Sequence, residues 1–273
     1  MLEALQFDFM RNAILAGILV SIACGIVGTL VVVNRTVFIS GGIAHAAYGG
    51  IGLGYFFRFD PVLGAIAFSV FSALAMGILQ RRSRERADTT IGVLWALGMA
   101  IGIIFLDLTP GYKADVMSYL FGSILTVPAS TLWLMLAIDI SIIILVTVFY
   151  KELLAISFDE TFATIRDLPV EAIYLGFMGI TALTIVLVMQ VVGLILVIAL
   201  LTIPAAISGQ FARDIKPMMV LAGALGIVFT LVGLTLSYLF NLTSGATIIL
   251  VAGAVYLLSF GLKSAFNRLE RRR

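Results

Sequence analysis

Residues 172–210 read AIYLGFMGITALTIVLVMQVVGLILVIALLTIPAAISGQ, without one charged side chain. A helix needs about 20 apolar residues to cross the hydrocarbon core of a bilayer. The stretch is therefore two spans' worth of chain. Gly193 falls near its middle and leaves almost no loop between a span at 172–189 and one at 191–210. The solvent of this chain is lipid.

The rest of the sequence agrees. Of 273 residues, 62% are hydrophobic and 12% charged, against about a quarter charged in an ordinary soluble domain, and the mean hydropathy is +1.16. Further spans read near 12–33, 37–57, 62–79, 91–108, 131–149, 218–240 and 245–261, making nine. The second, VFISGGIAHAAYGGIGLGYFF, is broken by glycines; if it is irregular, the count falls to eight. The expected fold is an all-α polytopic transmembrane helical bundle, one membrane domain over 1–273. The N-terminal MLEALQFDFMRNA carries Glu3 and Asp8 and no basic n-region, so it does not read as a cleavable signal peptide.

Short cytoplasmic loops collect lysine and arginine. With the QRRSRERAD loop placed inside and nine alternating spans, Arg35, Arg81, Arg82, Arg84, Arg86, Lys151, Arg166, Arg213, Lys216, Lys263, Arg268 and Arg271 to Arg273 all fall inside. That is fourteen of the seventeen basic residues. The C-terminus is expected in the cytoplasm and the N-terminus outside.

Several chemistries are excluded. Cys24 is the one cysteine, which rules out an intrachain disulfide or a thiolate cluster. There is no GxxxxGK[ST], HExxH, CxxC or nucleophile elbow, and GGIGLG at 49–54 lacks the preceding soluble strand of a dinucleotide site. No enzyme activity, resident cofactor or nucleic-acid partner is expected, so the energy for any transport comes from an ion gradient or a partner. Gly50-x-x-x-Gly54 and Gly98-x-x-x-Gly102 suit close helix packing.

Two intramembrane groups stand out, since ionisable residues at membrane depth are functional candidates. His45 is the one histidine. It reads as a cation ligand, as a structural hydrogen-bonding group, or as a proton relay titrating near neutrality. Asp139 sits mid-span in LWLMLAIDISIIIL, where an ionised carboxylate costs roughly 2.5–3.5 kcal/mol. It pairs, stays protonated or faces water.

The loop YKELLAISFDETFATIRDLPVE, residues 150–171, contains a short amphipathic helix. Ser157 and Glu160 read as a capping box. Asp159 and Glu160 lie in its first turn and Arg166 in its last, complementing the helix dipole, and Pro169 stops it. Phe158, Phe162 and Ile165 form one apolar stripe, suited to the bilayer surface or to a partner's groove.

The succession NRTVFISGGIAHA, LTPGYKADVMSYLFGSIL, KELLAISFDETFA, VGLILVIALLTIPAA and TSGATIILVAGAVYLLS resembles the permease subunits of bacterial ATP-binding-cassette importers for zinc, manganese and iron. The resemblance runs from about residue 10 to 262. It implies a type II importer-like permease that moves a divalent metal ion by alternating access across the cytoplasmic (inner) membrane. It also implies a homodimer, two cytoplasmic ATPase subunits that supply ATP hydrolysis, and an extracytoplasmic metal-binding protein. Phe158, Asp159, Glu160 and Ala163 match the family's coupling helix, which meets the ATPase; Ser157 just before them and Phe162 among them are counted with it. Around the histidine the family pattern is G-D-x-x-S-H-A. The chain keeps His45 but has Gly41 for the aspartate and Ala44 for the serine. An aspartate and a histidine four apart would share a helix face, and only the histidine half is present. The resemblance favours His45 as a metal-path ligand, with Asp139 a second candidate. Asp107 and Asp115, around LTPGYKAD, are candidates for cation entry at the outer face. The alternative is a proton- or sodium-coupled secondary transporter with His45 and Asp139 as its relay.

Overall fold

Long apolar runs fold into helices in lipid because every backbone amide must find its partner within the segment. A computed structural model of the chain describes residues 6–82, 87–111, 122 and 124–270, with backbone only for Ala87 and 262–270. The described residues contain helices and no strand. In order they are α1 (Asp8–Val33), α2 (Val37–Phe57), α3 (Pro61–Arg82), α4 (Ala87–Leu108), a 3-10 turn (Ile124–Thr126), α5 (Ala129–Val148), α6 (Tyr150–Phe158), α7 (Glu160–Ile165), α8 (Val170–Phe211), α9 (Ile215–Phe240) and α10 (Ser244–Glu270). Eight of them are long and apolar enough to cross a membrane.

One of the eight is too long for a single crossing. α8 has 42 residues, which at about 1.5 Å per residue is twice the thickness of the hydrocarbon core. Its backbone leaves helical geometry at Gly193, at φ 79° and ψ 165°, a region glycine enters without the penalty a Cβ brings. Contacts at its two ends show that the chain reverses there. Near its start, the Tyr174 hydroxyl donates to Gln80 at the end of α3. Just past its other end, the Lys216 ammonium lies 4.6 Å from the centre of the Tyr150 ring. Tyr150 opens the α6–α7 segment, and Glu160 of that segment pairs with Arg81 beside Gln80. Both ends of α8 therefore lie at one end of the bundle and Gly193 at the other. The arms 170–192 and 194–211 cross separately, which makes nine crossings.

The same contacts collect Arg81, Arg166, Lys216 and, around a common groove, Arg35 at that end. The opposite end holds the 3-10 turn, tied to α1 by Asn12, whose side chain donates to the Val127 carbonyl at 3.1 Å.

α2 is not irregular. It is one continuous helix over all 21 residues, and 78% of its span is buried. Each glycine in a helix costs up to about 1 kcal/mol relative to alanine, and packing offsets the cost here. One glycine face meets α3, with Gly50 against Gly64 and Gly54 against Pro61; the other meets α4, with Gly49 against Gly98 and Gly52 against Gly102. A Cβ on Gly50 would collide with the Gly64 carbonyl, whereas Gly179 faces open space. Overpacking a tight crossing costs about 1–3 kcal/mol. Gly50→Ala is therefore expected to lower the melting temperature in detergent by several degrees, and Gly179→Ala is expected not to. Equal melting temperatures would show that α2 and α3 slide apart freely.

Candidate functional site

α2 carries His45 near its middle, half-buried between its own backbone and α4. The imidazole Nδ1 lies 2.9 Å from the Gly41 carbonyl oxygen, one turn back. A carbonyl can only accept, so Nδ1 carries the proton in this arrangement, and the neutral ring keeps its lone pair on Nε2. Histidine metal ligands are commonly oriented in this way by a hydrogen bond from the other ring nitrogen.

Trp95 of α4 packs on the same ring, with centroids 4.2 Å apart and planes at 37°. Phe38, one turn below Gly41 on α2, also packs on the indole, with ring centroids 5.9 Å apart. A Cβ built on Gly41 would find Trp95 as its nearest neighbour, at an ordinary 3.9 Å. Position 41 can therefore accept a side chain at its first carbon.

Asp139 is placed elsewhere. It is 4% exposed on α5, and its Oδ2 has no hydrogen-bond partner. It lines a small cavity with Val20 and Ala23 of α1, Met135 of its own helix, and Leu187 and Val188 of α8. His45 meets α4 and Asp139 meets α1 and α8, so within one chain the two candidates are not brought together. Asp107 is exposed near the end of α4 away from the basic loops. Asp115 lies outside the described residues. Among the described residues there is no group of three or more His, Cys, Asp or Glu that could hold a metal.

The second region is the segment between α5 and α8. The expected capping box is corrected at one residue. Asp159 is the N-cap of α7, its carboxylate accepting from the Phe162 amide at 2.9 Å. Ser157 remains inside α6, where its hydroxyl donates to the Leu153 carbonyl at 2.6 Å. An N-cap needs extended backbone, and the chain first becomes extended at Asp159, at φ −148° and ψ 93°. Arg166 closes α7, its amide bonded to the Phe162 carbonyl and its guanidinium 5.0 Å from the centre of the Phe162 ring. Ala163 is fully buried and anchors the turn through the Leu168 amide.

The apolar stripe stands free. Phe158, Phe162 and Ile165 are 69%, 48% and 76% exposed. Glu160 holds α7 to the bundle by its ion pair with Arg81, whose guanidinium also lies 5.3 Å from the centre of the Tyr174 ring. Beside the helix opens a groove of about 820 Å³, lined by Arg35, Gln80, Arg81, Asp88, Phe158 and Tyr174 among others. Sequence reasoning counted Arg81 only for topology and passed over Trp95, Gln80 and Tyr174. Their partners are distant in the chain, and no local spacing marks them.

A nine-crossing all-α bundle, with a lone imidazole at membrane depth and an apolar helix exposed at its basic end, has the form of a membrane transport protein. The ABC 3 transport family model matches residues 6–263, and the chain belongs to that family. It is 63% identical to an uncharacterized membrane protein of Synechocystis sp., over 96% of this chain and 94% of the relative. It is 34% identical to the manganese transport system membrane protein MntC of Listeria monocytogenes, over 94% and 91%. Among solved structures it is similar to PsaBC from Streptococcus pneumoniae in complex with Fab. That match has a TM-score of 0.85 and 32% identity, and covers 95% of this chain and 94% of the other.

Proposed function

We propose that the chain is the permease subunit of an ATP-driven importer that carries a divalent transition metal ion (manganese, zinc or iron) across a bacterial cytoplasmic membrane. The observation that carries the reading is His45, an intramembrane imidazole whose Nδ1 is committed to its own helix and whose Nε2 keeps a lone pair. The likeness to a manganese permease over nearly the whole chain supports the cargo class.

In this reading two copies form the pathway and His45 of each offers one nitrogen to the ion. The exposed stripe of Phe158, Phe162 and Ile165 seats on a separate ATPase subunit at the cytoplasmic face, where the basic loops and the C-terminus lie. ATP-driven closure of the ATPases moves the coupling helices α6–α7 and alternates the opening of the pathway. An extracytoplasmic binding protein delivers the ion at the end that carries Asp107. The test is ATP-driven uptake of manganese, zinc and iron into proteoliposomes holding permease, ATPase and binding protein. Saturable uptake of one ion is expected. No uptake of any of the three would overturn the assignment of cargo.

Gly41 sets a second test. Hard cations such as Mn²⁺ favour carboxylate oxygen, and imidazole suits the borderline ions. Gly41→Asp would place a carboxylate on the face of His45, where the first carbon meets nothing closer than 3.9 Å. The variant is expected to lower the KM for manganese uptake about tenfold, the equivalent of roughly 1.4 kcal/mol, with a smaller change for zinc. A KM unchanged for both ions would show that the ion does not pass this face.

A further inference from the structure

Resting on the reading of His45 as a cation ligand, we infer that Trp95 is the positioning residue of that ligand. Its indole fixes the plane of the imidazole from the neighbouring helix, in the space that Gly41 leaves open. A histidine on a helix has two soft torsions, and one hydrogen bond does not fix both. The bond from Nδ1 to the Gly41 carbonyl sets the tautomer and holds one edge of the ring. The ring can still swing about that edge. Trp95 removes this freedom, because its indole lies against the imidazole at 4.2 Å with a tilt of only 37°.

The indole itself packs on α2, against Phe38 and near the bare backbone of Gly41. α4 is brought this close by the glycine crossings at Gly98 and Gly102, one and two turns further along. A first side-chain carbon at 41 would itself reach the indole only at an ordinary 3.9 Å. Without a carboxylate to share the ion, a single nitrogen must be aimed well, and a rigid aromatic wall aims it at little entropic cost. Substrate geometry then depends on a residue that makes no bond to the ion.

The chain has two tryptophans, Trp95 and Trp133. Trp133 is 73% exposed on α5 and takes no part in this arrangement. Trp133→Phe therefore makes Trp95 the one indole of the full-length permease, which is purified in lipid–detergent micelles and titrated with Mn²⁺, a paramagnetic quencher. Saturable quenching of Trp95 emission is expected, absent with Mg²⁺ and absent after His45→Ala.

Uptake in proteoliposomes with the ATPase and binding protein supplies the second readout. Trp95→Ala is expected to raise the KM about tenfold with maximal velocity within twofold of wild type, and Trp95→Phe is expected to restore most of the affinity. If Trp95→Ala does not reach the membrane, Trp95→Leu keeps apolar volume without the ring and serves in its place. Quenching that depends on His45, together with a wild-type KM in the Trp95 variants, overturns the role of Trp95 and leaves His45 as a ligand. Quenching that is linear and indifferent to His45 overturns both.

Discussion

His45→Ala is expected to reduce ATP-driven metal uptake by a hundredfold or more while leaving the ATPase bound to the permease. A divalent cation entering the bundle gives up water that no apolar side chain replaces, and the isolated charge costs tens of kcal/mol in a low-dielectric medium. Few groups near His45 can offset that cost. Gly41 and Ala44 offer no side-chain donor, and Asp139 faces α1 and α8 instead. A hydrogen-bond-strength contact to a charged species is worth about 1.5–3 kcal/mol. Losing one from each subunit of the proposed homodimer removes roughly 3–6 kcal/mol, which exceeds a factor of a hundred. The measurement is initial uptake rate against ion concentration in proteoliposomes, with co-purified ATPase as the control for assembly. Retained uptake would return His45 to a structural role, bonding its own helix. Asp139→Asn, measured beside it, would then show whether the buried carboxylate carries the ion along a different route.

Much of the architecture was legible because lipid imposes a strong rule on sequence. Spans follow from apolar length, and the nine crossings were readable from a 39-residue uncharged run that no single crossing can use. The reversal at Gly193 was visible as a missing loop. The span at 37–57 coincides with α2, but its glycine pattern left a break open, because helix propensity cannot see α3 and α4 arriving within backbone contact. The cap of α7 was misplaced by two residues for a similar reason. Ser157 and Asp159 are both good cap residues, and the choice depends on where α6 ends. His45 and Gly41 were legible as a pair at i and i+4. Trp95 was not, since an aromatic residue half a hundred positions away reads as one more lipid-facing side chain. The separation of Asp139 from His45 is tertiary information that no spacing within either span contains.

Replacing Phe158 and Phe162 together by aspartate is expected to reduce co-purification of the ATPase more than tenfold and to abolish uptake, with the permease itself still folded. The two rings are 69% and 48% exposed, so removing them opens little buried space, and surface substitutions of this kind usually shift stability by less than about 0.5 kcal/mol. α7 also keeps its own supports. Asp159 still caps it, Ala163 still anchors its last turn, and a carboxylate at 162 gains the guanidinium of Arg166 four residues on. In a complex the balance reverses. Each phenylalanine buried against a partner contributes roughly 1.5–3 kcal/mol, and a charge in its place must be desolvated without a matched cation. With two such helices in the proposed homodimer the losses compound, while Glu160 keeps α7 tied to Arg81 of α3. Ile165→Ala gives the graded control: a smaller apolar loss without added charge, with weakened binding and reduced but measurable uptake. If the double variant keeps its ATPase, the stripe is a face that lies on the lipid surface, and the contact that couples ATP hydrolysis to transport must be sought in the groove beside it, around Arg35 and Asp88.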